Sequence, residues 1–198
     1  MPKVVDYDER RREIAAAVAD IAATDGLADV SFRTVAKRAG VSVSLVQHYF
    51  GDKANLLLTT LELQSETMNA HIAGKLIDLG PEPEPAQLLR AIARAFLPLD
   101  ETSRRSMLVY HGFAAAALTD ESLRGAEMFA KGRGLIEVFA GQIAQLDRTT
   151  PQAQVDAEAE GTGLLSLLLG LSTGVLLDQI PADEAIRVLD HHLDKLTT

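Results

Sequence analysis

The sequence contains no cysteine and no tryptophan, and its aromatic residues are limited to three tyrosines and six phenylalanines. The lack of cysteine excludes disulfides, thiolate metal sites and cysteine nucleophiles. The scarcity of aromatic rings argues against recognition of single-stranded nucleic acid by base stacking. The 198 residues suit one domain of ordinary size, or a small domain joined to a larger one, with a core that needs no covalent cross-links.

Long apolar segments are missing as well. The first twelve residues are rich in charge, so no secretory signal is expected. The longest apolar stretch, residues 164–177, is interrupted by Ser166, Ser172 and Thr173 and is shorter than the roughly 20 residues needed to cross a bilayer. A buried helix is expected there, in a cytoplasmic protein that has no membrane partner.

Positive charge is in deficit, because the formal net charge is -9. A basic surface is the usual footprint of a DNA-binding protein, so the total argues against DNA. The deficit is uneven along the chain. Residues 1–55 carry eight basic and eight acidic side chains, whereas the remainder carries 11 basic and 20 acidic ones. Only the N-terminal part is expected to approach a polyanion without strong repulsion.

Helical periodicity is present in almost every segment, and strict alternation of apolar and polar residues does not persist anywhere. Ile14, Val18, Ile21 and Ala22 follow the spacing of one helix face. Alanine and leucine dominate, and β-branched runs of strand length are rare. The three prolines of residues 80–85 exclude a helix there. The pattern predicts an all-α protein of about nine helices, three before about residue 50 and six after it.

Residues 30–50 predict two short helices joined by a tight turn. Ser31 is placed to cap the first helix and Ser42 the second, while Gly40 lies in the turn between them. Two helices joined by a short glycine-containing turn form the helix-turn-helix arrangement. A plain helical corner with a solvated polar face has the same spacing, so the pattern alone leaves both interpretations open.

The second of these helices has a distinct polar face. With Val46 and Phe50 toward the core, Ser44 and His48 project to the opposite side and Gln47 lies on a flank. The amide of Gln47 can pair with adenine, and His48 or Ser44 can bond base acceptors or phosphate. This face is suited to an edge of the major groove.

The segment around this helix carries no negative charge. Between Gly40 and Gly51 there is no acidic side chain. Tyr49 and Lys53 follow the polar face and are expected within reach of the phosphate backbone. The local composition therefore favours DNA even though the whole chain is acidic.

Five short motifs occur in order within the first 57 residues. They are Arg-Arg-Arg-Glu-Ile at 10–14, Asp-Gly-Leu at 25–27, Ser-Phe-Arg-Thr-Val-Ala at 31–36, Gly-Val-Ser at 40–42 and Tyr-Phe-x-x-Lys-x-x-Leu at 49–56. In order and spacing they resemble the DNA-binding domain of the TetR family of bacterial transcriptional regulators. Beyond residue 57 the likeness is weaker, although the pattern of residues 164–196 is similar to that of regulators with a BetI-like C-terminal domain.

The resemblance implies roles for eight side chains of this segment. The implied base-reading residues are Ser44, Gln47 and His48, and the implied phosphate contacts are Arg33, Thr34, Tyr49 and Lys53. Val43 would touch a thymine methyl group. Two positions depart from the family pattern, because His48 stands where relatives often have tyrosine and Val43 where many have lysine or a polar residue.

The resemblance also implies a DNA-binding domain at residues 8–55 and an effector-binding and dimerisation domain at residues 56–198. The middle of the second domain mixes methionine and aromatic residues with isolated polar groups. Such a set can line a ligand cavity, although it is also what an ordinary core and surface contain. The candidates for an effector pocket are Arg94, Phe96, Met107, Tyr110, His111, Phe113, Met128 and Phe129.

One recognition helix reads too few bases for specificity, so a homodimer is expected, with half-sites about 34 Å or a multiple apart. The helices at residues 156–177 and 184–196 offer apolar surfaces for a four-helix bundle with a second copy. The same leucines can also form the core of a single chain, and the two roles are compatible. The candidates for the dimer interface are Leu164, Leu165, Leu168, Leu171, Val175, Ile186, Leu189 and Leu193.

These features predict a ligand-responsive repressor that a small molecule releases from a pseudo-palindromic, double-stranded operator. The alternatives are an activator of the same build, and an all-α ligand-binding protein or enzyme whose helix-turn-helix is vestigial. No Ser/His/Asp arrangement, phosphate-binding glycine loop or carboxylate pair stands out, so an enzyme is not expected. His191 and His192 point about 100° apart on a helix, so they are not expected to share a metal ion. No cofactor is expected either.

Overall fold

The computed structural model describes residues 7–124, 127–146 and 156–196, and within them all side chains except those of 122, 124 and 127–131. Over these ranges the regular structure is helical, without a β-strand, which confirms the all-α prediction. The helices are α1 (Tyr7–Thr24), α2 (Phe32–Ala39), α3 (Val43–Phe50), α4 (Lys53–Ile77), α5 (Pro85–Ala95), α6 (Glu101–Ala117), α7 (Glu121–Arg124), α8 (Glu127–Ala144), α9 (Ala157–Leu176) and α10 (Ala182–Leu196). The prediction of about nine helices agrees with these segments, because only two residues separate α7 from α8.

Local capping explains where α2 and α3 begin and end. The Ser31 hydroxyl accepts a hydrogen bond from the Thr34 backbone N–H (3.2 Å), and the Thr34 hydroxyl accepts one from the Ser31 N–H (2.9 Å). This reciprocal pair is a capping box. Gly40 ends α2 with φ at +67°, and the Ser42 hydroxyl accepts from the Leu45 N–H (3.1 Å) to begin α3. The three caps expected from the sequence are confirmed.

The described residues up to Thr67, together with those from Leu108 to Phe129, form one compact unit, which we term the head unit. Its core joins α1, α2 and α3 to the first half of α4 and the second half of α6. The larger buried side chains are Ile14, Val18, Ile21, Val30, Val35, Val46, Phe50, Leu56, Leu57, Leu61, Val109, Phe113 and Leu123. Because α3 contributes Val46 and Phe50 to this core, its opposite face is left to solvent.

The described residues from Met68 to Met107 and from Ala130 onward form a second unit, the body unit. Its core is built mainly from α5, α8, α9 and α10. A close approach between α8 and α9 depends on Gly161, since a Cβ at this position would lie 2.9 Å from the Ile136 carbonyl oxygen and 3.1 Å from the Ala140 nitrogen. Gly174 is also close-packed, but against the Ile180 side chain rather than a second helix.

The two units do not follow the predicted domain boundary at residue 55. Helix α4 runs without interruption from Lys53 to Ile77, and the division falls after Thr67. The described residues between 108 and 129 belong with the N-terminal helices because Val109 and Phe113 are buried in the core of the head unit. The helix-capping residues, glycines and prolines of the sequence do not indicate this long-range packing.

An ion-pair network joins α5 to α10 within the body unit. Arg90 contacts Asp190 and Asp194, each at 2.6 Å, and Arg94 contacts Asp190 at 2.5 Å. Burial alone would raise the pKa of Asp190, but the hydrogen bonds from Arg94 and Arg90 outweigh it and hold that pKa below its usual value. The acids beside the paired histidines therefore neutralise arginines. Among the described residues no cluster of three or more His, Asp or Glu side chains can hold a metal ion.

In the part of the chain that the structure describes, α9 is the one helix long and apolar enough to cross a membrane by length and composition. The whole helix spans 20 residues, more than the apolar stretch within it. One of its faces, which includes Leu164 and Leu168, is buried in the core of the body unit. This packing explains its apolar character and agrees with the buried helix expected there.

Replacing Gly40 by alanine is expected to lower the free energy of unfolding by about 1–2 kcal/mol, because an L side chain is strained at its positive φ. Gly134→Ala is the matched control, since Gly134 is helical and nothing lies within 4 Å of its Cβ position. That change should stabilise the chain by about 0.5–1 kcal/mol. Urea unfolding of both variants checks the prediction, which fails if the two changes have the same sign.

Candidate nucleic-acid interface

Helix α3 is anchored by one face and exposed on the other. Val46 and Phe50 are 0% and 2% exposed in the core of the head unit. Ser44, Gln47 and His48 are all exposed. The three predicted base-reading side chains therefore share one surface, as the helical wheel indicates.

The C-terminal end of α3 is held by its neighbours in the head unit. The Arg11 guanidinium lies 5.7 Å from the centre of the Phe50 ring and donates from Nη2 to the Thr59 hydroxyl (2.9 Å). The Asn55 side chain donates to the Phe50 carbonyl (2.8 Å). These contacts tie α3 to α1 and α4, so the exposed face of α3 has a fixed orientation within the head unit.

The rings of Tyr7, His48 and Tyr49 lie close together beside this face. The Tyr49 ring is half-buried, with its centre 4.6 Å from that of Tyr7 and 5.7 Å from that of His48. Tyr7 is missed by the sequence-based prediction, because a single tyrosine in a charged segment carries no signal of what it contacts. The Tyr49 ring therefore contacts both Tyr7 and His48, next to the predicted base-reading side chains.

Thr34 differs from the other predicted phosphate contacts. Its side chain is exposed, but its hydroxyl donates to the Asp29 carbonyl (2.7 Å) and accepts from the Ser31 N–H. The hydroxyl is therefore occupied by the start of α2 and has no proton free for a phosphate oxygen. Val43, in contrast, is 44% exposed and free for the predicted contact with a methyl group.

The cations of α2 and of the start of α4 fall into two groups. Arg33, Lys37 and Lys53 are exposed and have no ion-pair partner among the described residues. Arg38 instead pairs with Asp20 and, at 2.6 Å, with Asp25. Lys37 is a further candidate phosphate contact that the sequence-based prediction missed. The sequence does not distinguish Lys37 from Arg38 as a candidate phosphate contact. Only the positions of Asp20 and Asp25 in the structure show that the charge of Arg38 is already paired.

Replacing Lys53 by alanine is expected to weaken binding to all DNA sequences alike and to reduce the slope of log affinity against log salt by about 0.9, the value of one lost phosphate contact. Lys37→Ala should have the same effect. Arg38→Ala is the control, because its charge is already neutralised; it should lower the melting temperature and leave the slope unchanged. Fluorescence anisotropy titrations between 50 and 300 mM salt check this, roughly the range over which such contacts are resolved. A change of base preference in Lys53→Ala would contradict the assignment.

Two family models match the chain. One, described as bacterial regulatory proteins of the tetR family, matches residues 14–60, which include α2 and α3. The other, described as the C-terminal part of BetI-type transcriptional repressors, matches residues 85–198, more than half of the chain. The chain belongs to the TetR family.

Individual relatives extend over nearly the whole length. The TetR-family chain is 29% identical over 201 residues to the HTH-type transcriptional regulator PksA of Bacillus subtilis, with 99% of this chain and 94% of PksA covered. A solved transcriptional regulator from Rhodococcus sp. RHA1 is 30% identical with a TM-score of 0.80, covering 94% of this chain and 95% of its own. A regulator from Saccharomonospora viridis, solved with choline, has a TM-score of 0.79 at 20% identity and coverages of 94% and 96%, which shows a shared fold.

Membership of the TetR family confirms the predicted class of protein. The chain is a DNA-binding, ligand-responsive transcription regulator with an N-terminal helix-turn-helix and a larger C-terminal helical part. The prediction that it is not an enzyme is confirmed by the same comparisons. The plain helical corner and the vestigial helix-turn-helix are thereby set aside.

The predicted effector-pocket residues of the body unit have different surroundings. Arg94 is exposed and lines a cavity. Phe96 is half-buried against the core, and Met107 is 2% exposed. Of these three predicted pocket residues, only Arg94 lines a cavity of the body unit.

The other predicted pocket residues belong to the head unit. Phe113 is fully buried in its core. Tyr110 and His111 are half-buried with their rings edge to face, 5.5 Å between centres, and burial raises the pKa of Tyr110 and lowers that of His111. Met128 and Phe129 lie outside the described side chains.

A cavity of about 290 Å³ lies within the body unit. Its lining includes His71 and Lys75 from α4, Arg94 from α5 and Asp100 from the start of α6. Only Arg94 is among the predicted pocket residues. The one available signal is the i, i+4 spacing of His71 and Lys75, since Asp100 is distant in sequence and carries no mark of this contact.

The predicted dimer residues belong mostly to the chain's own core. Six of the eight are buried within the body unit: Leu164, Leu168, Leu171, Val175, Leu189 and Leu193. Leu165 and Ile186 are half-buried against the same core. These side chains therefore have an intrachain role, which the sequence allows alongside dimerisation.

Helix α9 presents a second set of residues on another face. Its members are small or apolar and exposed, at spacings of three and four residues: Gly163, Ser166, Gly170, Thr173 and Leu177, which we term the small-residue seam. No described residue lies within 4 Å of a Cβ placed at Gly163 or Gly170. A seam with this spacing suits packing against a second helix at a shallow angle.

Proposed function

We propose that the chain is a repressor that binds a pseudo-palindromic operator as a homodimer in the bacterial cytoplasm and is released by a small-molecule effector. Residues 8–55 act as the DNA-binding domain and residues 56–198 as the effector-binding and dimerisation domain. The single observation that carries the proposal is the exposed, acid-free face of α3. The match of residues 85–198 to BetI-type transcriptional repressors favours repression over activation.

Helix α3 lies in the major groove in this proposal. Ser44, Gln47 and His48 read base edges, and Val43 contacts a thymine methyl group. The phosphate contacts come from the exposed Arg33, Lys37 and Lys53, with Tyr49 beside them, whereas the hydroxyl and backbone N–H of Thr34 are both engaged in the capping box of α2. Residues 1–55 have no net charge, so they attract DNA of any sequence only weakly. Affinity for the operator therefore depends on two correctly spaced head units.

The homodimer forms through the small-residue seam of α9. Its glycines and short hydroxyl side chains allow the backbones of two α9 helices to approach closely, and Leu177 adds exposed apolar surface. The half-buried Leu167 and Leu169 flank the seam. A two-fold axis at this seam would present two recognition helices to half-sites about 34 Å or a multiple apart.

The effector acts through α4. This helix begins at Lys53, directly after the recognition helix, and carries His71 and Lys75 to the cavity of the body unit. A ligand that alters the position of α4 at the cavity would move the two α3 helices of the dimer and change their spacing. An operator with fixed half-site spacing would then be released.

Selection of duplex DNA from a random library, with the full-length chain as bait, tests the proposal. We expect a pseudo-palindrome whose half-sites lie about 10 base pairs or a multiple apart. Sedimentation velocity on the complex should give an even number of chains per duplex. Enrichment of no sequence at any salt concentration would overturn the proposal.

A further inference from the structure

The cavity of the body unit combines charged side chains with a small apolar wall. His71 and Lys75 lie one turn apart on α4, Arg94 comes from α5 and Asp100 precedes α6. Two leucines and two alanines complete the lining. The volume of about 290 Å³ is near the lower end of the roughly 300–1,000 Å³ of small-molecule pockets. A compact ligand with one charged group fits this space.

The carboxylate of Asp100 is already engaged by groups of the chain. Its Oδ1 accepts from the Ser103 N–H (2.8 Å) and hydroxyl (2.9 Å), and its Oδ2 lies 3.3 Å from Lys75 Nζ and 3.5 Å from His71 Nε2. Burial alone would raise the pKa of Asp100, but the hydrogen bonds from Ser103 and Lys75 outweigh it and the pKa lies below its usual value. A cationic ligand would have to displace Lys75 to reach this carboxylate.

Aromatic faces are also missing from the lining. Among the described residues around the cavity there is no Phe, Tyr or Trp. Quaternary ammonium ligands are commonly held by cages of such rings through cation–π attraction. The cavity thus gives a cation neither a ring face nor an unengaged carboxylate.

Donors, in contrast, remain available. Lys75 Nζ carries three N–H groups, of which Asp100 accepts at most one, and the side chain is about half exposed. His71 Nε2 is buried and makes no hydrogen bond, although it lies near Asp100. Arg94 uses one nitrogen for Asp190 and keeps further N–H groups. These donors suit a carboxylate or a similar oxyanion.

We propose that this cavity binds a small organic anion with a short apolar tail, whose charged end lies at Lys75 and Arg94. The proposal rests on the effector-binding role proposed above and specifies the class of effector. It sets this chain apart from the Saccharomonospora viridis regulator, which was solved with the cation choline. The apolar tail packs on the leucines and alanines of the lining.

Three probes of nearly equal shape and different charge test the proposal on the full-length chain. They are 3,3-dimethylbutyrate, the neutral 3,3-dimethylbutanol and choline, compared by calorimetric titration at constant ionic strength. We expect the carboxylate to bind on the order of tenfold more tightly than either of the others, as a charge contact at a partly solvated site allows.

Two variants of the lining give opposite expected shifts. Lys75→Met should weaken binding of 3,3-dimethylbutyrate by about tenfold, and Asp100→Asn should strengthen it by about as much, because the competing charge is removed. Asparagine preserves the cap of α6, since it is as good an N-cap residue as aspartate. Lys195→Met removes an exposed lysine of the body unit outside the cavity and should leave binding unchanged. The gain expected for Asp100→Asn keeps the test decisive if Lys75→Met unfolds.

Three results would overturn the proposal: choline binding as tightly as the carboxylate, insensitivity of carboxylate binding to both lining variants, or no saturable binding of the carboxylate by the wild type and Asp100→Asn. The same samples are assayed for sequence-selective DNA binding. Selective DNA binding without anion binding would overturn the effector class alone. Absence of sequence-selective DNA binding by the wild type would overturn the proposed function itself.

Discussion

Replacing Gly170 by arginine is expected to convert the dimer to a monomer and to lower operator affinity by about 100-fold or more. Gly170 is exposed in the small-residue seam, and none of the residues that the structure describes lies within 4 Å of its Cβ position. Arginine therefore fits the isolated chain, but it places a long charged side chain where the second α9 is proposed to pack. Two linked heads gain about 10²–10⁴ in affinity over one head, and this gain would be lost.

Gly141→Arg is the matched control for this experiment. Gly141 is exposed on α8, also with nothing within 4 Å of its Cβ position, and lies outside the seam. Sedimentation velocity measures the oligomeric state, and anisotropy titration with a selected operator measures affinity. A dimeric Gly170→Arg variant with the affinity of the wild type would place the interface elsewhere.

Replacing Gln47 by alanine is expected to weaken binding to the preferred operator by about 1–3 kcal/mol and to relax the base preference at one position of each half-site. The amide of Gln47 is exposed on the flank of α3 next to His48 and can form a bidentate pair with the N6 and N7 atoms of adenine. A side chain that reads a base edge contributes nothing to nonspecific DNA, so affinity for scrambled duplex should stay at the wild-type value.

Gln145→Ala serves as the control, because Gln145 is an exposed glutamine of the body unit that is remote in sequence from α3. Its affinity for both duplexes should match that of the wild type. Binding to a set of operators, each altered at one base pair, locates the relaxed position. An equal loss on selected and scrambled duplexes in Gln47→Ala would show that Gln47 contacts the backbone instead of a base.

The sequence is most informative where structure is determined locally. The Ser31 and Ser42 side chains accept hydrogen bonds from backbone N–H groups three residues ahead, and Gly40 adopts the left-handed conformation that ends α2. The starts of α2 and α3 and the end of α2 therefore follow from short-range chemistry. The exposed face of α3 follows from helical periodicity once Val46 and Phe50 are assigned to the core. These local rules suffice to place Ser44, Gln47 and His48 on one surface before any tertiary contact is known.

Helix α9 shows where such reasoning stops. Its leucines mark an apolar face, but periodicity cannot tell whether that face meets the chain's own core or a second copy. In the structure Leu164 and Leu168 pack against the rest of the body unit, with Gly161 allowing α8 to approach. The surface left for a partner is the small-residue seam, whose glycines and hydroxyls carry little hydrophobic signal in the sequence.

The cations of α2 and the cavity of the body unit show the same dependence on tertiary placement. Lys37 and Arg38 are adjacent and alike in the sequence, yet Arg38 is neutralised by Asp20 and Asp25 while Lys37 is not. The cavity likewise brings together Lys75 of α4 and Asp100, which precedes α6 and lies 25 positions further along the chain. Only three-dimensional packing decides which of these charges remain available to a ligand.

The proposed function depends above all on sequence-specific reading of duplex DNA by the exposed face of α3. Competition anisotropy with the full-length chain tests it most directly, using a selected operator and a scrambled duplex of equal composition over a range of salt concentrations. We predict that the operator binds at least about 10³-fold more tightly, as specific regulators do. We further predict that Gln47→Ala reduces this ratio while the slope against salt is unchanged. Equal binding of the two duplexes at every salt concentration would show that α3 does not read DNA sequence.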